Sequence, residues 1–330
     1  MTGEFDFVRS LLDKTARNKS QFSPVKIGIG DDCAVISQNS KTDLVITTDL
    51  LIEDIDFRLG WTRANFVGHK ALAVSLSDVA AMGAKPLWAL VSIGIPEKIW
   101  KTDFVEKFYV GWLGLAKKFN VELAGGDVSR TPDKIVIDSI VAGGAKKNLA
   151  VVRSGAEVGD LIFVTGKLGG AAAGLRLLEN SFRFDKEKGM LKNLIRRQLA
   201  PNPQIEIGCK LSENKLATAM LDLSDGLSSD LAHLCQASKV GARIVAERIP
   251  LEKKLGEVLK ENEDEISFAL NGGEDFELLF TARPKNKIKL EKLFGEKITC
   301  IGEITAQAEK IELVVGSKTV SLSPGGFRHF

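Results

Sequence analysis

The stretch Asn65–Ile95 reads NFVGHKALAVSLSDVAAMGAKPLWALVSIGI, and the fold class turns on it. Val67, Ala71, Val74 and Asp78 share one face of a helix, since helical residues advance about 100° each. A helix is therefore predicted over 65–82. Gly83 closes it and Pro86 lies just beyond, a regular stop signal. Residues 87–95 then read as a strand. Helix handing over to strand is the unit of layered α and β proteins, and the alternation continues outward in both directions. Strands are predicted at 44–48 (LVITT) and 135–142 (IVIDSIVA). A second helix is predicted over 103–119, opening with Asp103-x-x-Glu106, a capping-box pattern. Beyond the basic, polar patch GGAKKN at 143–148 the pattern restarts with GDLIFVTG, a strand entering a glycine-rich turn before a helix at 170–179. Strands follow at 218–223, 242–247 and 276–281, helices at 227–237, 251–261 and 285–294, and short strands to the end. The expected fold is mixed α/β (α+β) in two domains, 1–148 and 149–330.

Composition narrows the function classes. Of 330 residues, 44% are hydrophobic and 27% charged, the values of an ordinary globular protein. A net charge of +2 advertises neither nucleic acid nor an acidic membrane surface. The longest apolar candidate, Ala71 to Pro96, is interrupted by Asp78, Lys85 and Pro86, so it does not supply the roughly 18 residues of a membrane span. The N-terminus is acidic early and lacks the apolar region of a signal peptide. Cys33, Cys209, Cys235 and Cys300 are scattered, without a C-x-x-C pair, and read as reduced thiols. The expected compartment is the cytosol. His69, His233 and His329 are the only histidines, which makes a zinc hydrolase or a Ser-His-Asp enzyme hard to build.

What remains for chemistry is carboxylate, and its placement is patterned. Gly30-Asp31-Asp32, Thr47-Thr48-Asp49, Leu76-Ser77-Asp78, Gly125-Gly126-Asp127, Asp222-Leu223-Ser224-Asp225-Gly226 and Gly272-Gly273-Glu274-Asp275 mostly sit beside apolar strands. Asp and Gly form turns for purely structural reasons. They also line sheet rims, where ligands bind and glycine lets them approach closely. Asp78 on an apolar helix face is costly unless it is paired or bound to a cation. Carboxylates with Ser and Thr hydroxyls, and no His or Cys cluster, favour a hard ion such as Mg²⁺, which is usually shared with substrate phosphates. Neither G-x-x-x-x-G-K-[ST] nor G-x-G-x-x-G is present. The turn Thr165-Gly166-Lys167-Leu168-Gly169-Gly170 could hold an anion at a helix N-terminus, although glycines at close helix–strand packing look the same.

The ordered series GEFDFVRSLL (3–12), GIGDDCAV (28–35), TTDLLIEDIDF (47–57), KALAVSLSDVAAMGAKP (70–86), GGDVSR (125–130), VVRSGA (151–156), DLSDGLSSDL (222–231), NGGEDFELLF (271–280) and GGFRHF (325–330) resembles the thiamine-monophosphate kinase family along nearly the whole chain. That family is similar to aminoimidazole ribonucleotide synthetase, selenophosphate synthetase and a hydrogenase-maturation enzyme. The resemblance implies a two-domain architecture of that kind, with ATP and several Mg²⁺ ions in a cleft and a homodimer formed through strands of the N-terminal domains. It implies metal-ligand roles for Asp32, Thr47, Thr48, Asp49, Asp78, Asp127, Asp222 and Asp225. It implies ATP contacts at Tyr109, Gly126, Asp127, Arg153 and Ser224, and thiamine-monophosphate contacts at Asp56, Glu274 and Phe327. Some positions depart from the family pattern. Asp56 stands where a number of relatives carry His, Ser75 where Asn is frequent, and Phe327 where Tyr or Trp is commoner; Val-Ser-Arg follows the Gly-Gly-Asp motif where Thr often stands.

The implied activity is ATP- and Mg²⁺-dependent phosphorylation of thiamine monophosphate to thiamine diphosphate by direct in-line transfer. Three other readings compete. The first is another member of the same group, an ATP-dependent synthetase or a selenophosphate-type enzyme; the latter would carry a reactive Cys in a glycine-rich N-terminal segment, and no Cys precedes Cys33. A non-catalytic metal or nucleotide binder would form no ADP. A two-metal phosphatase would release phosphate without ATP.

Overall fold

A computed structural model describes residues 23–259 and 264–327, together with Phe7, Val8 and Leu11. Most of GEFDFVRSLL, the end of GGFRHF, His329 and residues 260–263 lie outside the described residues. The first half builds a six-stranded sheet from β1 (Val25–Ile27), β2 (Ala34–Ser37), β3 (Thr42–Ile52), β4 (Lys85–Pro96), β5 (Glu122–Thr131) and β6 (Val136–Lys146), in the order β1-β2-β3-β6-β4-β5. All its pairings are antiparallel except β4 with β5.

Against this sheet lies α1 (Ala64–Ala81), the helix expected at 65–82. From Val67 to Ala81 every residue is buried except His69 and Asp78, so the helix is buried nearly all round rather than along one stripe. It ends as its sequence implies. Gly83 adopts φ +63°, its N–H reaches the Ala80 carbonyl, and the Ala84 N–H reaches Val79, a Schellman closure. A short helix α2 (Glu97–Trp100) leads into α3 (Phe104–Phe119). The backbones of α1 and α3 touch: a Cβ on Gly68 would lie 2.0 Å from the Phe108 carbonyl oxygen, and one on Gly111 would lie 1.7 Å from that of Asn65. The expected capping box at Asp103 is not formed. Asp103 pairs with Lys107 instead, and the Phe104 N–H is taken by the Thr102 hydroxyl at 3.2 Å.

The second half builds a seven-stranded sheet in the order β13-β12-β9-β11-β7-β10-β8. Its strands are β7 (Leu161–Thr165), β8 (Ala219–Asp222), β9 (Gly241–Val245), β10 (Leu278–Ala282), β11 (Ile298–Thr305), β12 (Ile311–Val315) and β13 (Lys318–Ser321). Its helices are α4 (Gly170–Glu179), α5 (Gly189–Leu199), α6 (Ile205–Glu213), α7 (Leu227–Ser238), α8 (Glu265–Asn271) and α9 (Lys287–Phe294). Of the helix expected at 251–261, residues 260 and 261 lie outside the described residues, and the described part holds one 3-10 turn, Leu255–Glu257, in its place. Leu255 is buried beneath α4 and α8, and the backbone around Leu251 bridges to Leu168, so this segment is held by packing and hydrogen bonds to other elements and not by a helical ladder of its own.

The halves share a core. Ile205, Ile207 and Leu211 of α6, with Phe163 and Phe280 of the second sheet, join the cluster around α1 and the first sheet. Among the described residues no helix is long and apolar enough to cross a membrane, and all four cysteines are free thiols.

Candidate active site

Four elements converge where the sheets meet. On β3 the side chains alternate, so buried Thr47 and half-buried Asp49 face α1 while exposed Thr48 faces away. Thr47 donates its hydroxyl to Asp78, the one carboxylate of α1. Asp32 comes from the turn between β1 and β2, and Asp222 is the last residue of β8. Asp32, Asp78 and Asp222 each present a carboxylate oxygen, and the three lie within 4.8 Å of one another. The nearby cation is Arg153, which pairs with Asp32 and places its backbone N–H 3.2 Å from both oxygens of Asp31.

One guanidinium among so many buried carboxylates leaves a charge problem. Burial pushes Asp78 well above the usual carboxylate range; Asp49, Asp222 and Asp32 add to this, and the Thr47 hydroxyl eases it. Asp222 is raised to about 8, chiefly by burial and by Asp32. Asp49 is raised to about 6, again by burial first. Burial raises Asp32 too, against the pull of Arg153. Asp32 Oδ2, Asp49 Oδ2 and Asp222 Oδ2 are buried without a hydrogen-bond donor among the described residues. Orphaned buried acceptors at this spacing are what a hard cation would satisfy, so the residues fit Mg²⁺. The neighbouring Cys33 thiol is pushed up by burial and by the carboxylates, so it stays protonated beside them.

A second group adjoins the loop 222–226. The Glu274 N–H donates to the Ser224 carbonyl at 2.8 Å, which ties the Gly-Gly-Glu-Asp loop to the Asp-Leu-Ser-Asp-Gly loop. Glu274 stands at φ +67°. Its Oε1 accepts from Lys70 Nζ at 2.5 Å and its Oε2 accepts from Gln198. Lys70 also donates to the Asp56 carbonyl at 3.0 Å, while the Asp56 carboxylate accepts the Ile52 N–H at 2.7 Å. The Asp225 carbonyl accepts the Phe327 N–H at 3.1 Å, and the ring of Phe327 is half exposed. Gly325 and Gly326 dock on the Ser228 and Ser229 hydroxyls, which sets the position of Phe327.

A third group stands apart. Asp49 pairs across the sheet with Ser139, Ser139 with Val91, and Val91 with Gly126. Three strand spacings put Gly126 and Asp127 about 14 Å from Asp49 within one chain. Asp127 pairs with Ser92, and Ser92 with Asp138, to which Thr48 donates at 2.6 Å. Thr48 and Asp127 therefore share the sheet face opposite α1. The motif Gly-Gly-Asp lies inside β5, not after a strand, and Gly126 has a bland reason to be glycine: a Cβ would meet the Val91 carbonyl at 1.9 Å. Tyr109 is half-buried on α3 against Phe108.

The turn 165–170 already has an anion. Asp275 accepts from the Gly169 and Ala171 N–H groups at 2.6 and 3.1 Å, at the start of α4. Reading the sequence for acidic turns missed Lys70, Gln198 and Arg197. Lys70 had a signal, a charge inside the same apolar helix run that made Asp78 stand out; the other two had none.

Comparison with known proteins follows the same lines. Residues 30–145 match the family model of AIR synthase related protein, N-terminal domain, and residues 157–314 match the corresponding C-terminal domain. The thiamine-monophosphate kinase of Buchnera aphidicola subsp. Acyrthosiphon pisum is 39% identical over 332 residues, covering 99% of this chain and 98% of that protein. The Escherichia coli K12 protein of the same name is 37% identical, with the same coverage of each chain. The solved structure of AaThiL complexed with AMPPCP and TMP matches with a TM-score of 0.84 at 34% identity, over 99% of this chain and 97% of that one. Hydrogenase maturation protein HypE in complex with ATP, at 18% identity and a TM-score of 0.70 over 85% of this chain and 84% of that one, shares the fold alone. On near-complete coverage at well over 30% identity, this chain belongs to the thiamine-monophosphate kinase family.

Proposed function

We propose that this chain transfers the γ-phosphoryl group of ATP to thiamine monophosphate, giving thiamine diphosphate, with magnesium held by its carboxylates. The observation that carries the reading is the convergence of Asp32, Asp78 and Asp222, with orphaned oxygens on Asp32, Asp49 and Asp222. The names of the relatives and the analogue-bound structure support it. The acceptor is a phosphate monoester whose second pKa is near 6, so at neutral pH it is mostly a dianion and needs no general base. The obstacle is repulsion: two like charges about 4 Å apart repel by roughly 4 kcal/mol at an effective dielectric of 20. Magnesium, when bound here, would cancel phosphate charge and align donor with acceptor.

The roles of the chain's own groups follow. Asp32, Thr47, Asp49, Asp78, Asp222 and Asp225 hold metal; Arg153 and Ser224 meet ATP phosphates; Asp56, Glu274 and Phe327 receive thiamine monophosphate. Transfer is direct and in line. His69 is engaged elsewhere, on the Pro201 carbonyl at 2.8 Å. Tyr109, Gly126, Asp127 and the outer face at Thr48 serve the site of a second copy in a homodimer. The separation of about 14 Å between Asp127 and Asp49 within one chain supports this. So does the exposure of Leu50, Leu123 and Val128 on the first sheet. Residues 1–148 and 149–330 act as the two domains of the site, in the cytosol.

A product assay with ATP, Mg²⁺ and thiamine monophosphate, with free thiamine as control, tests the reading. Thiamine diphosphate should form from the first and not from the second. ADP without that product, phosphate release without ATP, or comparable product from free thiamine would overturn it.

A further inference from the structure

Lys70 is only 3% exposed, on a helix whose other buried residues are small or apolar. A lysine is seldom buried that far unless its charge is paired. Its ammonium is used twice: 2.5 Å from Glu274 Oε1 and 3.0 Å from the Asp56 carbonyl oxygen. The first partner belongs to a loop of the second half, the second to the turn after β3 in the first half. The contact therefore spans the seam between the two sheets. Glu274 is gripped from the other side as well, since Gln198 of α5 donates to Oε2. A carboxylate offers about four lone-pair sites. Two are taken by these donors, and with the side chain 29% exposed the others remain open to a ligand.

The position along α1 matters too. Lys70 precedes Asp78 by eight residues, about 12 Å of helix axis. One rigid element thus carries a member of the metal cluster toward one end and the grip on Glu274 and Asp56 toward the other.

We propose that Lys70 is a positioning residue of the acceptor subsite: it aims the Glu274 carboxylate and holds the Asp56 turn so that both can receive the cationic heterocycle of thiamine monophosphate. The inference rests on the reading of the site as a thiamine-monophosphate kinase. Lys70 does not touch the reacting phosphates; it acts through Glu274. Its removal should therefore weaken the acceptor and leave the nucleotide alone.

The test compares wild type, Lys70→Met, Gln198→Leu, Glu274→Gln and the double variant Lys70→Met/Glu274→Gln. KM is measured for thiamine monophosphate and for ATP at saturating Mg²⁺. Lys70→Met should raise KM for thiamine monophosphate about tenfold and leave KM for ATP within about twofold, as expected when only acceptor binding is lost. The double variant should be no worse than Glu274→Gln alone, because both changes break one contact. Gln198→Leu frees only the second oxygen and should raise the same KM by about threefold; it decides the matter should Lys70→Met not fold. Equal rises in both KM values, multiplicative effects in the double variant, or an unchanged acceptor KM in Lys70→Met or Gln198→Leu would each overturn the inference. The wild-type product assay decides separately whether the chain makes thiamine diphosphate at all.

Discussion

Two nests of buried and half-buried carboxylate lie among the described residues, and each draws on the acidic turns of the sequence. One gathers Asp31, Asp32, Asp49, Asp78 and Asp222 around Arg153. The other gathers Glu252, Asp275 and Glu277 around Arg197, with ion-pair distances of 3.4, 3.7 and 3.3 Å. Both carry more negative than positive charge, so counting charges does not separate them. Counting donors does. Both oxygens of Asp275 accept backbone N–H groups at the start of α4, and Glu277 accepts from the Thr165 hydroxyl at 2.6 Å and from Arg197. In the first nest three buried oxygens, Asp32 Oδ2, Asp49 Oδ2 and Asp222 Oδ2, accept nothing from the described residues. A satisfied nest holds structure together. An unsatisfied one spends folding stability that a ligand can return.

The largest effect expected from this contrast is at Asp78. Asp78→Asn keeps the size and hydrogen bonding of the side chain but makes a poor magnesium ligand. Turnover at limiting Mg²⁺ should fall by about 10³-fold or more, on the scale of losing a major electrostatic contact to the transferred group. Thermal stability without metal should hold or rise, since a buried charge is removed. Wild-type turnover in that variant would erase the distinction between the nests.

Arg197→Met attacks the other nest. It should cost about 3 kcal/mol in urea unfolding, because carboxylates are left buried without their cation. Stabilisation by added Mg²⁺ should persist. If the variant loses that response, the second nest is also part of the metal site.

The smallest effect sharpens the comparison through pH. Asp49 is raised to about 6, Asp222 to about 8 and Glu277 to about 7, burial being the leading cause in each. With folded values above unfolded ones, the native state binds more protons across this window. The contribution of these three groups to stability is therefore fully present below about pH 4 and is lost as pH rises through 6 to 8. Metal-free protein should lose melting temperature over pH 6 to 8. Saturating Mg²⁺ should remove the share due to Asp49 and Asp222 and leave that of Glu277, which Glu277→Gln should abolish. A slope that Mg²⁺ leaves untouched would mean that the first nest does not bind it.

Much of the fold was legible because local signals agreed with packing. The helix at 65–82 and its stop at Gly83 were readable, since the Schellman closure is built from neighbours in sequence. The pattern at Asp103 misled: its carboxylate had a lysine one turn away to bind, and Thr102 supplied the cap. The segment 251–261 looked helical by composition, but Glu252 is drawn to Arg197 and Leu255 into the core beneath α4 and α8. The family series of motifs was readable along the chain, and the relatives bear it out. That Gly126 and Asp127 sit inside an edge strand was not, because β5 is exposed along nearly its whole length and shows no buried alternation.

By itself the sequence determined which residue types could do chemistry here: carboxylates and hydroxyls, few histidines and no cysteine pair, a set that favours a hard cation over a soft one. It also determined the alternation of helix and strand, because hydrophobic period and turn chemistry act over a few residues. Only the tertiary structure decided which acidic turns meet, since Asp32, Asp78 and Asp222 are far apart in the chain and come together where two sheets pack. It alone showed that Asp275 has its donors while Asp222 Oδ2 has none among the described residues, and that Lys70 crosses the seam to Glu274. The reason is that a carboxylate's function depends on the donors around it, and those donors are supplied by other elements at long range.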